Sequence, residues 1–333
     1  MQQVQFHGRV TALSSISHNG GQSFGISSKL RREKFVQPDL TTEDVPIVSG
    51  NAMRGVLRDR GMFHFCRCLG YGDPITNEDG KVTGVRGLSK TAFYYLFSGG
   101  SLTAAGKGMD LDRARELNGM IPLASVLGGA IGGQIMPGKV KIGKMIPICR
   151  ETIHLLPEAF QLPTAQSIWE YTQEEMYTRK DDAKNEHLAQ VLEGTHKAIA
   201  GGLQPSLIGD IGSGGAKSKS TALEEKEAAP QQMMYLVETL AAGTSFYWRI
   251  VLDNVTDLEF EAFLVALVEF SKMPYVGGKS GTGLGEISVD FNQWVRIDSR
   301  IVQGEKVGVP IGDAYRKHLE QNAATIRRIL EAL

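Results

Sequence analysis

The sequence predicts an α+β fold built on a ferredoxin-like (RRM-like) palm, and two observations carry that prediction. A strand pattern, a helix pattern and a second strand pattern follow one another near both ends of the chain. Long stretches without periodicity interrupt and separate the two units. Two strand–helix–strand units of this kind close as an antiparallel sheet with helices on one face.

The elements follow from residue spacing. Val4, Phe6, Gly8 and Val10 alternate with Gln5, His7 and Arg9, the pattern of a half-buried strand. From Ser14 to about Asp44 the chain is Gly/Ser-rich and then basic, and it reads as a long excursion. Pro46 to Asn51 leads into a helix that Ser49 or Asn51 can cap, with Met53, Val56 and Leu57 as its apolar stripe. Arg54 and Arg58 lie four apart and share one face of that helix. Residues 70–87 read as a loop. The stretch from Ala124 to Ile148 reads as a glycine-rich helix or turn and then a strand. In that strand Val140, Ile142 and Met145 face inward, with Lys139, Lys141 and Lys144 on the other side. Residues 178–230 are charged and then Gly/Ser/Lys-rich, which suits a projection from the body. Phe246, Trp248, Ile250 and Leu252 alternate as a strand, and Phe260, Phe263, Leu264, Leu267 and Val268 mark one buried helix face. A glycine loop from Gly277 to Gly285, a strand from Glu286 to Phe291 and a helix from Ile311 to Leu333 complete the chain.

Composition narrows the function classes. Hydrophobic residues at 42% and charged residues at 22% are ordinary for a soluble globular protein. A net charge of −1 argues against coating nucleic acid by bulk electrostatics. The charge is segregated, however: residues 101–150 hold seven Lys/Arg against three Asp/Glu, and residues 151–200 hold four against nine. A basic face opposite an acidic one is compatible with that distribution. Three cysteines, Cys66, Cys68 and Cys149, are too few for a disulfide framework and fit a reducing cytoplasm. The N-terminal residues lack a signal-peptide pattern, and no apolar run reaches the roughly 18 residues of a membrane span. A cytoplasmic protein without a membrane partner is expected.

Catalytic and cofactor motifs mostly fail on spacing. Gly278-Lys279-Ser280 invites a P-loop reading, but Met273 stands where a Walker A loop needs glycine. A helix also precedes this loop and a strand follows it, the reverse of the P-loop order. Glycines there leave backbone amides open to phosphate, with Lys279 as a point charge. A tight turn packed under a helix is the equal alternative on the loop alone. His64-Phe65-Cys66-Arg67-Cys68 lacks a second Cys/His pair, and one helix or strand cannot aim all three ligands inward. None of the seven histidines forms a recognisable acid–base pair. No cofactor, metal or catalytic residue is expected.

Four stretches, in chain order, resemble the RAMP superfamily of CRISPR-associated proteins, and its backbone subunit in particular. Pro46 to Arg58 is similar to the family's proline and Gly-Ser-Ser-Leu-Lys-Gly-Ala-Leu-Arg lead into the first helix. Leu127-Gly128-Gly129 through Ile142 resembles its Leu-Phe-Gly turn and following strand. Gln231 to Phe246 resembles its return strand, and Gly277 to Gly285 its glycine-rich loop. The long C-terminal addition and the glycine turn without phenylalanine fit the type IV branch best.

The resemblance implies a palm with finger-like insertions in residues 1–177 and 233–333, and a projecting thumb hairpin in 178–232. It implies a non-enzymatic subunit that oligomerises head to tail along a guide RNA and presents bases to target DNA or RNA. Further partners would be copies of itself, a large subunit, a handle-binding subunit and a guide-processing endonuclease. The implied RNA-binding residues are Ser49, Asn51, Arg54 and Arg58 at a helix N-terminus, and Lys139 and Lys141 along a strand. Gly278, Lys279 and Ser280 in the glycine loop join them, with Lys29, Arg31 and Arg32 in the excursion and Arg179 at the start of the thumb. Two enzymatic alternatives stand beside this. One is metal-dependent cleavage of target RNA from an acidic residue of the 14–44 loop (Asp39, Glu43 or Asp44), as in the related type III subunit. The other is endoribonuclease processing of guide precursors. A filament protein without nucleic acid is the third class, and a steep salt dependence of RNA binding would separate it.

Overall fold

The computed structural model describes residues 1–24, 27–76, 81–100, 111–131, 134–179, 233–298 and 312–333. The chain opens with β1 (Gln2–Ala12), β2 (Asn19–Phe24), β3 (Ser27–Leu30), β4 (Arg32–Val36), β5 (Thr42–Pro46) and α1 (Gly50–Cys68). It continues through β6 (Pro74–Thr76), β7 (Val82–Val85), α2 (Lys90–Ser98), α3 (Leu111–Met120) and α4 (Pro122–Leu127). Four short strands follow, β8 (Gly129–Ile131), β9 (Gln134–Met136), β10 (Val140–Ile142) and β11 (Ile146–Pro147). The rest is β12 (Thr172–Arg179), β13 (Met233–Leu240), β14 (Ser245–Val255), α5 (Asp257–Ser271), β15 (Ile287–Asp298) and α6 (Asp313–Glu331). Two units are distinguished: residues 1–22, 29–173 and 238–333 form one, and residues 23–28 and 174–237 the other.

The first unit rests on an α+β arrangement. Its main sheet runs in the order β10-β14-β1-β15, with β11 also on β14, and every pairing is antiparallel. Helix α1 lies on the path from β1 to β10, and α5 on the path from β14 to β15. Burial along β1 alternates residue by residue, as its sequence predicts. Val4, Phe6 and Val10 join Phe246, Trp248, Ile250 and Leu252 of β14 in one core. Phe6 meets Phe260 and Phe263 of α5 with ring centroids 6.4 and 6.3 Å apart. On the opposite face His7 Nδ1 lies 2.8 Å from Tyr247 Oη and Arg249 donates to Gln5 at 3.0 Å, while Tyr247 joins Ile148, Leu156 and Phe160 in a second apolar cluster. Helices α1 and α5 meet at Gly61, where a Cβ would stand 2.7 Å from that of Ala266 and 2.5 Å from Leu123. Hydrogen is the only side chain that permits this approach.

The start of α5 is fastened by one carboxylate. Thr256 and Glu259 form a capping box, with Glu259 N donating to Thr256 Oγ1 at 3.2 Å and Thr256 N to Glu259 Oε2 at 2.8 Å. The same carboxylate accepts Lys139 Nζ at 2.7 and 2.8 Å and Ser125 Oγ at 2.6 Å. Burial alone would raise its pKa, but the donors Lys139, Ser125 and Thr256 outweigh burial and hold it below the usual value. Glu259 thereby ties α4, the approach to β10 and α5 together.

In the second unit β13 pairs in parallel with β3, Leu236 opposite Ser27 and Val237 opposite Ser28. The thumb expected in 178–232 lies outside the described residues from residue 180 onward.

Several expectations change in detail. The 14–44 excursion contains β2 to β5, and β4 pairs with β5 from Arg32/Pro46 to Val36/Thr42. The 70–87 loop contains the β6–β7 hairpin, whose β7 is exposed along its length. The second hairpin has no buried strand face, and the first buries only Val45 and Pro46 at the end of β5, so apolar periodicity does not reveal them. The last strand reaches Asp298 instead of Phe291, and the last helix spans Asp313–Glu331. Among the described residues, no helix is long and apolar enough to cross a membrane.

Glu259→Gln should lower the unfolding free energy by about 2 kcal/mol, the scale of hydrogen bonds to a charged group. A urea titration showing no change would mean that the network adds nothing.

Candidate nucleic-acid interface

The glycine loop joins α5 to β15. Its base is closed by Val276 N donating to Gly285 O at 2.8 Å, and Val276 and Leu284 are buried. Between them, residues 277–283 are exposed. Inside the loop Thr282 N donates to Lys279 O at 2.9 Å and Gly283 N to Ser280 O at 3.1 Å. Gly277, Lys279, Gly283 and Gly285 all adopt positive φ, between 62° and 89°. The loop also lies against the segment that leaves β1: Gly278 N donates to Ser17 O at 2.7 Å and Gly285 N to Ser15 O at 2.8 Å. A Cβ at Gly277 would stand 2.3 Å from Ser17 O, so glycine is required there for contact as well as for φ.

The next residue connects this loop to the start of α1. Ser49 N donates to His18 Nε2 at 3.2 Å, which fixes the neutral tautomer with its proton on Nδ1. Burial, and then the nearby Arg31 charge, push the His18 pKa below 6.5. Arg31 N donates to His18 O at 2.7 Å, and Ile47 N to Arg31 O at 2.9 Å. Ser49 is the N-cap, accepting from Ala52 N at 3.2 Å. The first-turn amides of Gly50 and Asn51 have no partner within a helix by construction. Thus the dipeptide Ser17-His18 touches both the glycine loop and the α1 N-terminus. Asn51, Arg31, Gly278, Lys279 and Ser280 are exposed around this junction.

The remaining basic residues are placed differently. Arg54 donates to the carbonyls of Leu127 at 3.0 Å and Val140 at 2.6 Å. Arg58 is buried and donates to Leu96 O at 3.3 Å, Leu127 O at 3.1 Å and Gly128 O at 2.7 Å. Leu96 and Leu127 lie in the last turns of α2 and α4, where carbonyls lack intrahelical donors and the dipole favours a cation. Burial lowers the pKa of both guanidinium groups. Arg58 therefore braces the Leu127-Gly128 turn from inside, and this chain gives it no path to a phosphate. Lys139 is held on Glu259, while Lys141 is exposed and sits 3.6 Å from Asp253. Arg32 pairs with Glu238 and lies over the Trp169 ring, 5.1 Å from its centroid. Leu30 N donates to the second oxygen of the same carboxylate at 2.8 Å. Lys29 is half-buried, and the side chain of Arg179 lies outside the described residues.

Of the acidic residues, Asp39 accepts from Thr41 N at 3.0 Å and Thr41 Oγ1 at 2.6 Å in the exposed β4–β5 turn. Glu43 is half-buried and Asp44 exposed, both on β5. Sequence spacing missed His18. Its only signal is a histidine within a Gly/Ser segment, 31 residues from its partner.

Gly277→Ala should cost at least about 1 kcal/mol, whereas Gly281→Ala, with nothing near its Cβ, should stay within about 0.5 kcal/mol. Equal effects in chemical denaturation would contradict the loop geometry. The unfolded chain protonates His18 near pH 6.5 and the folded chain only below that. The stability tied to this residue is therefore complete above pH 6.5 and is lost as the pH falls from there toward the folded value. His18→Gln keeps an acceptor without the titration and should flatten the decline of Tm on acidification. An unchanged profile would remove His18 from the junction.

No protein-family model matches the chain, and no curated protein matches it. Among solved structures, a chain of a Type IV-B CRISPR complex is similar with a TM-score of 0.53 and 20% identity. That match covers 92% of this chain and 96% of the other. Csc2 of Thermofilum pendens matches at a TM-score of 0.38 and 12% identity, over 98% of this chain and 77% of that one, too distant to weigh. The chain therefore has the fold of a chain of a type IV CRISPR complex, the branch that its sequence motifs resemble.

Proposed function

We propose that the chain is a non-enzymatic backbone subunit of a CRISPR ribonucleoprotein effector. It would bind the sugar-phosphate backbone of a guide RNA in the cytoplasm and stack head to tail with further copies. The guide's bases would then be left to pair with target DNA or RNA. A large subunit, a handle-binding subunit and a guide-processing endonuclease would complete the assembly. On this reading the main sheet is a ferredoxin-like palm, supported by its strand order and by helices at both crossovers. Residues 178–232 would be the thumb.

The observation that carries the reading is the exposed glycine loop held beside the α1 N-terminus by Ser17 and His18. The Gly278 amide is taken by Ser17 O, and the cation at Lys279, the hydroxyl at Ser280 and the first-turn amides of α1 are the donors that phosphate oxygens would take. The likeness in fold to a Type IV-B CRISPR complex chain, over nearly the full length of both, supports the same role. The basic residues divide into two groups. Lys29, Arg31, Asn51, Lys141, Arg179 and the loop residues would contact RNA. Arg32, Ser49, Arg54, Arg58 and Lys139 would shape the surface from within, through the carbonyl and carboxylate partners described above.

Co-expression with a repeat–spacer array should yield a large assembly that retains guide RNA of defined length. Lys279→Asn tolerates the left-handed backbone and removes the charge, so it should lower the slope of log affinity against log salt by about 1 without loss of fold. Arg58→Ala should instead destabilise the folded chain. An RNA-free monomer from co-expression would overturn the proposal.

A further inference from the structure

Far along α1 from the loop junction, two side chains, one from each of two helices, converge on a single imidazole. His64 and Cys68 are four residues apart near the C-terminal end of α1, so both project from one face. His64 Nε2 lies 3.4 Å from Cys68 Sγ. On the other side of the ring, His64 Nδ1 lies 3.1 Å from Glu269 Oε1 of α5. Glu269 therefore fixes the tautomer: the Nδ1 proton points at the carboxylate, and the Nε2 lone pair points at the sulfur. Cys68 is exposed, so the space in front of the pair opens to solvent.

The 3.4 Å contact serves as a thiol–imidazole hydrogen bond, and it is also close to the spacing of two co-ligands of one metal ion. A tetrahedral zinc centre with bonds of about 2.3 Å to sulfur and about 2.0–2.1 Å to nitrogen holds those atoms roughly 3.5–3.6 Å apart. A carboxylate on the second ring nitrogen is the usual device that orients a metal-bound histidine. Soft thiolate with imidazole selects zinc-like cations over magnesium or calcium.

We propose that His64 Nε2 and Cys68 Sγ form a two-ligand surface site for a soft divalent cation such as Zn2+, with Glu269 as its positioning residue. Binding would displace the thiol proton of Cys68 to solvent, and water would fill the remaining positions. Among the described residues no group of three such ligands occurs, so the chain itself supplies two. The charges around the pair are Arg67, Lys272 and Arg316 on one side of the balance and Glu269 and Glu320 on the other. The proposal is independent of the RNA-binding reading.

The same three residues also form the outline of a nucleophilic cysteine, but the setting opposes that role. Cys68 is the last residue of α1, where the helix dipole disfavours a thiolate, and burial raises its pKa further.

Thiol labelling of the intact folded protein with a disulfide reagent tests the site. Cys66 and Cys149 are buried and Cys68 is exposed, so Cys68 is the thiol that the reagent reaches. One equivalent of Zn2+ should slow its labelling tenfold or more, and a chelator should restore the rate. His64→Ala should abolish the protection, and Glu269→Gln should weaken the apparent affinity 10–100-fold. Co2+ should give a thiolate charge-transfer absorption that Cys68→Ser removes. Labelling that ignores Zn2+, or protection that persists in His64→Ala, would overturn the proposal. Rapid metal-free alkylation of Cys68 at neutral pH would overturn it too, in favour of an activated thiolate.

Discussion

Strand β1 is hydrogen-bonded along both edges, to β14 from Gln2 to Thr11 and to β15 from Gln2 to Ala12. A strand paired on both sides cannot slip by one residue without turning its buried row of Val4, Phe6 and Val10 outward. Its exit is fixed as a consequence. Ala12 N meets Thr244 O, Leu13 N meets Glu286 O, and Ile16 exchanges hydrogen bonds with Leu240. The residues that follow, Ser15 to His18, become a shelf on which the glycine loop rests and against which the α1 N-terminus is set. The loop owes its placement to this register more than to its own sequence.

A second constraint works through buried cations. Arg54 and Arg58 place two guanidinium groups against the carbonyls that end α2 and α4, and Arg54 also reaches the Val140 carbonyl of β10. A planar fork with five donors can serve several acceptors at once, which a single ammonium cannot. The arrangement satisfies carbonyls that α2 and α4 would otherwise leave without partners, and it sets the Leu127-Gly128 turn from which β8 to β10 depart. Removing either partner would leave charge or carbonyl groups stranded in the interior.

The strongly patterned parts of the fold were legible in the sequence. β1, α1, β14 and α5 each bury one face, and burial of one face is what periodicity records. The β6–β7 hairpin buries no such face, and the β4–β5 hairpin puts only Val45, Pro46 and part of Phe35 inside, too few for a period, so the same reasoning passed over them. At the site, the glycine loop and the α1 N-terminus could be picked out by residue type, because glycine and cap residues act locally. Their junction could not, because His18 and Ser49 meet through the tertiary path of β1. Arg58 illustrates the opposite failure. Charge marks a residue as surface by default, and only the helix-end carbonyls around it explain why it is buried.

Lys279 occupies the left-handed region at φ 62°, a conformation that costs a side-chain-bearing residue about 1–2 kcal/mol. Its neighbours Gly277 and Gly283 and the internal bonds to Lys279 O hold it there. The loop is thus stiff before any ligand arrives. A rigid cradle gives up little conformational freedom on binding, so more of each contact survives as net affinity. On the proposed reading, the same stiffness would make the loop selective for shape, since it could not follow a backbone whose phosphate spacing does not match.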